Sequence, residues 1–203
     1  MNSPRYAPAG LLIELGKTRV MIDGGADMQV GELDAWLVSD ERAELMPAIR
    51  RRLRGSPLEA GVRSFQKGAL RITPKPVVHT NHPAFGYLIE VPQARVGWAP
   101  EFLEYPVWAT KLDLLFAEAA GWNRRIWFRG RVGGHASATE VAEKARAARV
   151  QHLVFAHIGR PTIRAMDEGC VPLFGEFGAD GQTWRVTRSG RVSRTRSSPR
   201  SSR

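Results

Sequence analysis

Histidines and carboxylates at the ends of apolar segments are the places where this 203-residue chain could do chemistry. Ser137, followed three residues later by Glu140, is a capping box, so a helix is expected just after the loop that carries His135. Ala138, Val141, Ala142, Ala145 and Ala148 then fall on one face at helical spacing. Leu153-Val154-Phe155-Ala156 reads as a short buried strand with His157 at its exit. Two histidines thus sit at the two loop ends of one helix–strand unit, where open α/β architectures place chemistry. The imidazole of His157 suits zinc, manganese or iron. His79 also follows an apolar strand, with His82 as a register alternative in the same loop. Asp40 and Glu44 are hard oxygen ligands one helical turn apart and could face a common cavity. An N-cap carboxylate and a solvated helix charge are the plainer account of that pair.

The elements that must hold these residues can be read from periodicity. Strand signals recur near 11–15, 19–23, 35–38, 70–79, 86–91, 95–99, 112–117 and 151–156, and helical patterns lie near 43–54 and 138–149. Pro47 is tolerable only in the first turn of the earlier helix, whose arginines at 50, 51, 52 and 54 give a basic face. Strands first, with helices interspersed and packed outside, predict an α/β, αββα four-layer sandwich with two mixed β-sheets face to face. Residues 171–188 read as a terminal strand or hairpin. The expected organisation is an N-terminal segment over 1–9, one domain over 10–185 and an Arg/Ser-rich tail without structure over 186–203.

The order of segments resembles the metallo-β-lactamase fold, in its branch of ribonuclease Z-like and phosphonate-pathway phosphodiesterases. Leu11–Leu15 followed by Arg19–Gly25 looks like that family's first hairpin, ending in an Asp-Gly turn at Asp23. Ile72–His79, then Phe85-Gly86-Tyr87-Leu88-Ile89-Glu90, is similar to its third motif, a strand, a metal-binding histidine and a further strand. Arg95–Glu101 and Leu112–Ala119 resemble the next two strands, with Glu101 where a bridging Asp is expected. The resemblance implies His79, Glu101 and His157 as metal ligands and His135 as a substrate-facing histidine. His135 would donate to a phosphate oxygen or protonate the leaving group, with Gly133-Gly134 allowing close backbone approach. It also implies that Asp23 hydrogen-bonds beneath the site.

One motif departs from the family. The His-x-His-x-Asp-His turn, which normally supplies most ligands, is replaced by Ser39-Asp40-Glu41-Arg42-Ala43-Glu44-Leu45. Asp40 and Arg42 stand for the two leading histidines, Glu44 for the Asp and Leu45 for the last histidine. A guanidinium has no lone pair to offer a cation. The expectation is at most one zinc or manganese per chain, held by His79, Glu101 and His157 with Glu44, with Asp40 and His135 catalytic. Two readings stay open: a metal-dependent hydrolase of small-molecule or nucleic-acid phosphodiesters, and a non-catalytic relative without metal that binds a ligand, a nucleic acid or a protein.

Bulk composition bounds the rest. The formal charge of +10 is concentrated after Asp180, where seven arginines and no acid occur, leaving 23 basic against 20 acidic residues in the body. That basic end could contact nucleic acid through counterion release. The single Cys170 excludes an internal disulfide and a thiolate cluster and fits a cytoplasmic protein. No apolar run approaches the roughly twenty residues that span a bilayer, and the N-terminus lacks a signal-peptide core. A homodimer is expected only by analogy with the fold.

Overall fold

The computed structural model describes residues 5–24, 30–187 and 191–195. Its elements in chain order are β1 (Gly10–Leu15), β2 (Thr18–Asp23), β3 (Ala35–Leu37), α1 (Met46–Arg52), β4 (Ala60–Gly61), β5 (Phe65–Lys67), β6 (Leu70–Val77), β7 (Ala84–Val91), β8 (Ala94–Ala99) and β9 (Leu114–Ala119). There follow β10 (Ile126–Trp127), β11 (Gly134–His135), α2 (Ala138–Ala147), β12 (His152–Ile158), α3 (Arg160–Asp167), β13 (Glu176–Phe177), β14 (Thr183–Val186) and β15 (Val192–Thr195).

Two mixed sheets form the centre. One has the order β1-β2-β3-β4 and the other β13-β12-β9-β8-β7-β6-β5. In the larger sheet β5 to β8 run as an antiparallel meander, and β8, β9, β12 and β13 pair in parallel. Period-two alternation sends one face of each strand to a different layer. Val20, Ile22 and Leu37 of the smaller sheet meet Ile72, Trp98, Leu114 and Val154 of the larger one between the sheets. Met21 and Trp36 face outward onto Met46 and Ile49 of α1. Leu115, Ala117 and Phe155 face outward onto Val141, Ala142 and Ile163 of α2 and α3. The layers are therefore α1, small sheet, large sheet, then α2 with α3, which is the αββα sandwich.

Local chemistry explains the boundaries. Ser137 caps α2 by accepting the Glu140 N–H at 3.3 Å, as the capping box predicts. α1 is shorter than the 43–54 pattern because Asp40 Oδ1 accepts the Arg42 N–H at 2.7 Å, which keeps that stretch in a turn, and Pro47 then opens the helix. α3 lies outside the predicted helices. Gly159-Arg160-Pro161 looks like a break, yet proline in a first turn starts a helix, and Ile163 and Ala165 bury its inner face. Pro74 and Pro76 of β6 fall beyond the stretch paired with β5, so their missing N–H groups interrupt no bond on that side.

The end of the chain also differs from expectation. Val192–Thr195, taken above as unstructured tail, pairs antiparallel with β14. Val192 is 7% exposed and joins Val186 and Trp184 against the inter-sheet core. Val-Ser-Arg-Thr does alternate, but over four residues, too short to stand out among the arginines. Residues 188–190 and 196–203 of that expected tail lie outside the described residues. Among the described residues no helix is long and apolar enough to cross a membrane.

Candidate metal centre

The site is built where strands of the larger sheet end. β9 carries a carboxylate into an otherwise apolar run, and that residue, Glu118, is fully buried. A buried charge must be paired and hydrogen-bonded. Glu118 Oε2 accepts from His135 Nδ1 at 2.7 Å and from the Phe102 N–H at 3.1 Å. Its Oε1 accepts from His157 Nδ1 at 3.2 Å and from the Ala120 N–H at 2.8 Å. Burial alone would raise this carboxyl, but the hydrogen bonds and charges of His135 and His157 prevail and hold it at about 2. His157 reaches Glu118 because β12 is bulged between Phe155 and His157, which brings His157 opposite Glu118. Bulges commonly re-aim a side chain beside a site.

His79 is positioned from the other side. It sits after β6, and its Nδ1 donates to the Gly134 carbonyl at 2.9 Å, while the Gly134 N–H donates to the His79 carbonyl at 2.8 Å. The fit is close enough to require glycine next door, because a Cβ on Gly133 would lie 2.0 Å from the His79 carbonyl oxygen. Phe128 packs edge-on against both His79 and His135, with ring centroids 5.3 and 5.2 Å away.

With both Nδ1 atoms occupied, the Nε2 atoms of His79 and His157 remain for the site. They lie 3.8 and 3.4 Å from the two oxygens of Glu101. Donors around one tetrahedral zinc at bond lengths near 2.0–2.2 Å stand roughly 3.3 Å apart, and here each Nε2 approaches a different oxygen of Glu101. Imidazoles anchored through the other ring nitrogen to a carbonyl or carboxylate are the usual outer support of such ligands. Glu118, His135 and His157 also bring ligand atoms within 4.8 Å of one another. That trio is a hydrogen-bond cluster, since four N–H groups already occupy the lone pairs of Glu118. Glu118 and Glu101 together, against the burial that lowers it, raise His157 to about 9.

A cavity of about 210 Å³ opens beside Glu101 and His157, with Asp23, Asp40, Leu45 and Arg160 on its wall. Asp40 is 6% exposed, and its Oδ2 pairs with His82 Nε2 at 2.8 Å. His82 is therefore a partner of Asp40, and His79 takes the place beside Glu101. Asp23, in a left-handed conformation at φ 57°, accepts from Ser39 N–H at 2.6 Å and Trp98 Nε1–H at 2.7 Å. Burial pushes its carboxyl up to about 6 against those two hydrogen bonds. Glu44 is exposed and does not line the cavity, and Arg42 is exposed too. The structure thus brings His79, Glu101, His135 and His157 together, puts Asp40 on the cavity that Glu101 and His157 line, and leaves Glu44 off it. Glu118 is the residue that sequence reasoning missed. Its signal was a lone acid inside Leu-Leu-Phe-Ala-Glu-Ala-Ala, since an acid so enclosed needs partners.

This architecture is the metallo-β-lactamase fold. The solved metallo-β-lactamase fold protein YhfI from Bacillus subtilis superposes with a TM-score of 0.63 at 17% identity, covering 95% of this chain and 93% of that one. A diphosphatase of the PhnP family gives 0.56 at 17% identity over 84% of this chain and 80% of its own. The short form of human tRNase Z gives 0.54 at 13% identity over 87% and 93%. No family model and no curated protein matches the sequence.

Proposed function

We propose that this chain is a metal-dependent hydrolase of phosphodiesters with a mononuclear centre held by His79, Glu101 and His157. The observation that carries this reading is the pair of Nε2 atoms flanking the two oxygens of Glu101, each ring fixed through its Nδ1. A bound zinc or manganese ion supplies Lewis acidity toward a phosphoryl oxygen and a nucleophilic water at neutral pH. The phosphate-directed activities of the similar diphosphatase and tRNase Z support the substrate class.

The chain's own residues do the remaining work. Glu118 holds His135 in the tautomer with hydrogen on Nδ1, leaving Nε2 to hand a proton to the leaving oxygen or to bond a phosphate oxygen. The Asp40–His82 pair on the cavity wall takes up the proton released by the attacking water. Phe128 and the apolar Leu45, in the place of the family's last histidine, keep bulk water from the reacting groups. With Leu45 apolar, Arg42 and Glu44 exposed and Asp40 already paired, a second cation lacks a ligand set.

The test is release of nitrophenolate from bis(4-nitrophenyl) phosphate with zinc or manganese added. Wild type should turn over, His157→Ala should fall to background, and His135→Ala should lose about 10²–10⁴-fold while still binding metal. Turnover by His157→Ala at the wild-type rate would overturn the assignment. The altered second motif also favours a second reading, a relative that binds phosphodiesters without cleaving them. Metal binding with no turnover of any diester supports that reading instead.

A further inference from the structure

The segment between β9 and α2 has chemistry that the proposed centre does not use. Residues 119–139 contain Arg124, Arg125, Arg129 and Arg131 and no acid. Arg125 is committed to α2, its Nε donating to Glu140 Oε2 at 2.8 Å. Among the described residues, Arg124 and Arg129 are exposed and have no acidic partner. Arg131 stands over the indole of Trp127, its guanidinium carbon 5.5 Å from the ring centroid. Trp127 is itself 47% exposed, an unusual position for the residue with the largest apolar surface. Gly130 and Arg131 both adopt left-handed backbone, at φ 73° and 55°. For a residue with a Cβ that conformation costs about 1 kcal/mol or more. A surface serving only solubility would need neither an exposed indole nor that strain.

The inner side of the same loop is the wall of the site. Phe128, next in the chain after Trp127, packs on His79 and His135. The Trp127 backbone is in register with Gly134, whose carbonyl anchors His79. The aromatic and cationic platform is thus one residue, about 3.8 Å of backbone, from the wall of the centre. We propose that the Arg124–Arg131 loop binds single-stranded nucleic acid flanking the scissile phosphodiester. Trp127 stacks on a base, and Arg129 and Arg131 hold adjacent phosphates. An exposed π face calls for bases, which a plain polyanion lacks, and unpaired arginines beside it call for a charged backbone. This deepens the phosphodiesterase reading by naming its substrate class, and it rests on that reading for the word scissile alone.

Binding can be tested apart from turnover. Anisotropy of a fluorescein-labelled, hydrolysis-resistant phosphorothioate oligothymidylate would be followed with the full chain over a range of salt concentrations. Trp127→Ala should weaken binding about tenfold or more, since base–aromatic stacking is lost. The Arg129→Ala/Arg131→Ala double variant should lower the slope of log affinity against log salt by about 1.4, since each single-strand phosphate contact contributes about 0.7. Inorganic polyphosphate, as competitor, should bind wild type and Trp127→Ala equally. Melting curves of these surface variants matching wild type would exclude a folding defect. The proposal is overturned if both variants bind the oligonucleotide within twofold of wild type, which would assign binding to the basic C-terminal residues. It is also overturned if Trp127→Ala loses polyphosphate and oligonucleotide alike. Failure to hydrolyse diesters with this binding intact would sink only the catalytic reading.

Discussion

Zinc affinity should depend on pH in a way set by Glu118. Between the carboxylates of Glu118 and Glu101, His157 keeps its second proton up to about pH 9. A cation at Nε2 must displace that proton. At pH 7 the ring is deprotonated about 1% of the time, so displacement costs about 2.7 kcal/mol, or about two powers of ten in affinity. Apparent affinity should therefore rise about tenfold per pH unit from 7 toward 9 and then level off. Glu118→Gln removes the charge and the stronger acceptor, so the break should move down toward the ordinary imidazole range near 6.5 and the slope above pH 7 should flatten. The same variant should bind zinc about 10–100-fold more weakly at its plateau, because the support of the ligand is lost. Competition with a chromophoric chelator across a pH series gives the slope. Calorimetry in buffers of different ionisation enthalpy gives the proton count, expected near one at pH 7.5. A flat wild-type profile from pH 7 to 8.5, or an unmoved break in Glu118→Gln, would refute the reasoning.

Three further outcomes follow from the packing. In the metal-free protein the Glu118–His157 pair should stabilise the fold most between about pH 4.5 and 6.5. Its contribution, of order 3 kcal/mol, should fade on the acid side as pH falls through about 2, where the depressed carboxyl protonates, and on the alkaline side as pH rises through about 9, where the raised imidazole loses its proton. Urea midpoints across pH would show this, and Glu118→Gln should abolish both flanks. Gly133→Ala should cost about 1–3 kcal/mol and weaken zinc binding, because the added Cβ meets the His79 carbonyl oxygen at 2.0 Å. Thermal melting with and without zinc would check both effects. Val192→Ala should destabilise by about 1 kcal/mol through lost burial against the inter-sheet core, while Ser193→Ala on the exposed face should leave the melting temperature unchanged.

Much of the fold was legible because it depends on short-range signals. Alternation in Leu70–Val77, Ala84–Val91 and Ala94–Ala99, and the capping box at Ser137, are local, and the order of those segments carried the αββα layering. Short elements were not legible: β10 and β11 pair over two residues each, and β15 over four, below the length at which periodicity speaks. The candidate ligands were legible as histidines at strand ends. Their support was hidden, because Glu118 acts through pairings 17 and 39 residues away and depends on a bulge at the end of β12. Asp40 was ambiguous between cap and site; it caps no helix, but turns the chain through Arg42 N–H with one oxygen and, on the cavity wall, holds His82 with the other.

The central claim is that one cation is held by His79, Glu101 and His157, and zinc stoichiometry tests it most directly. After equilibrium dialysis against excess zinc at pH 8, elemental analysis should give about one zinc per wild-type chain. His79→Ala and His157→Ala should each fall to a small fraction of that, and Glu44→Ala should remain at the wild-type value. Two tightly held zinc ions per wild-type chain, none at all, or full retention in both histidine variants would contradict the account.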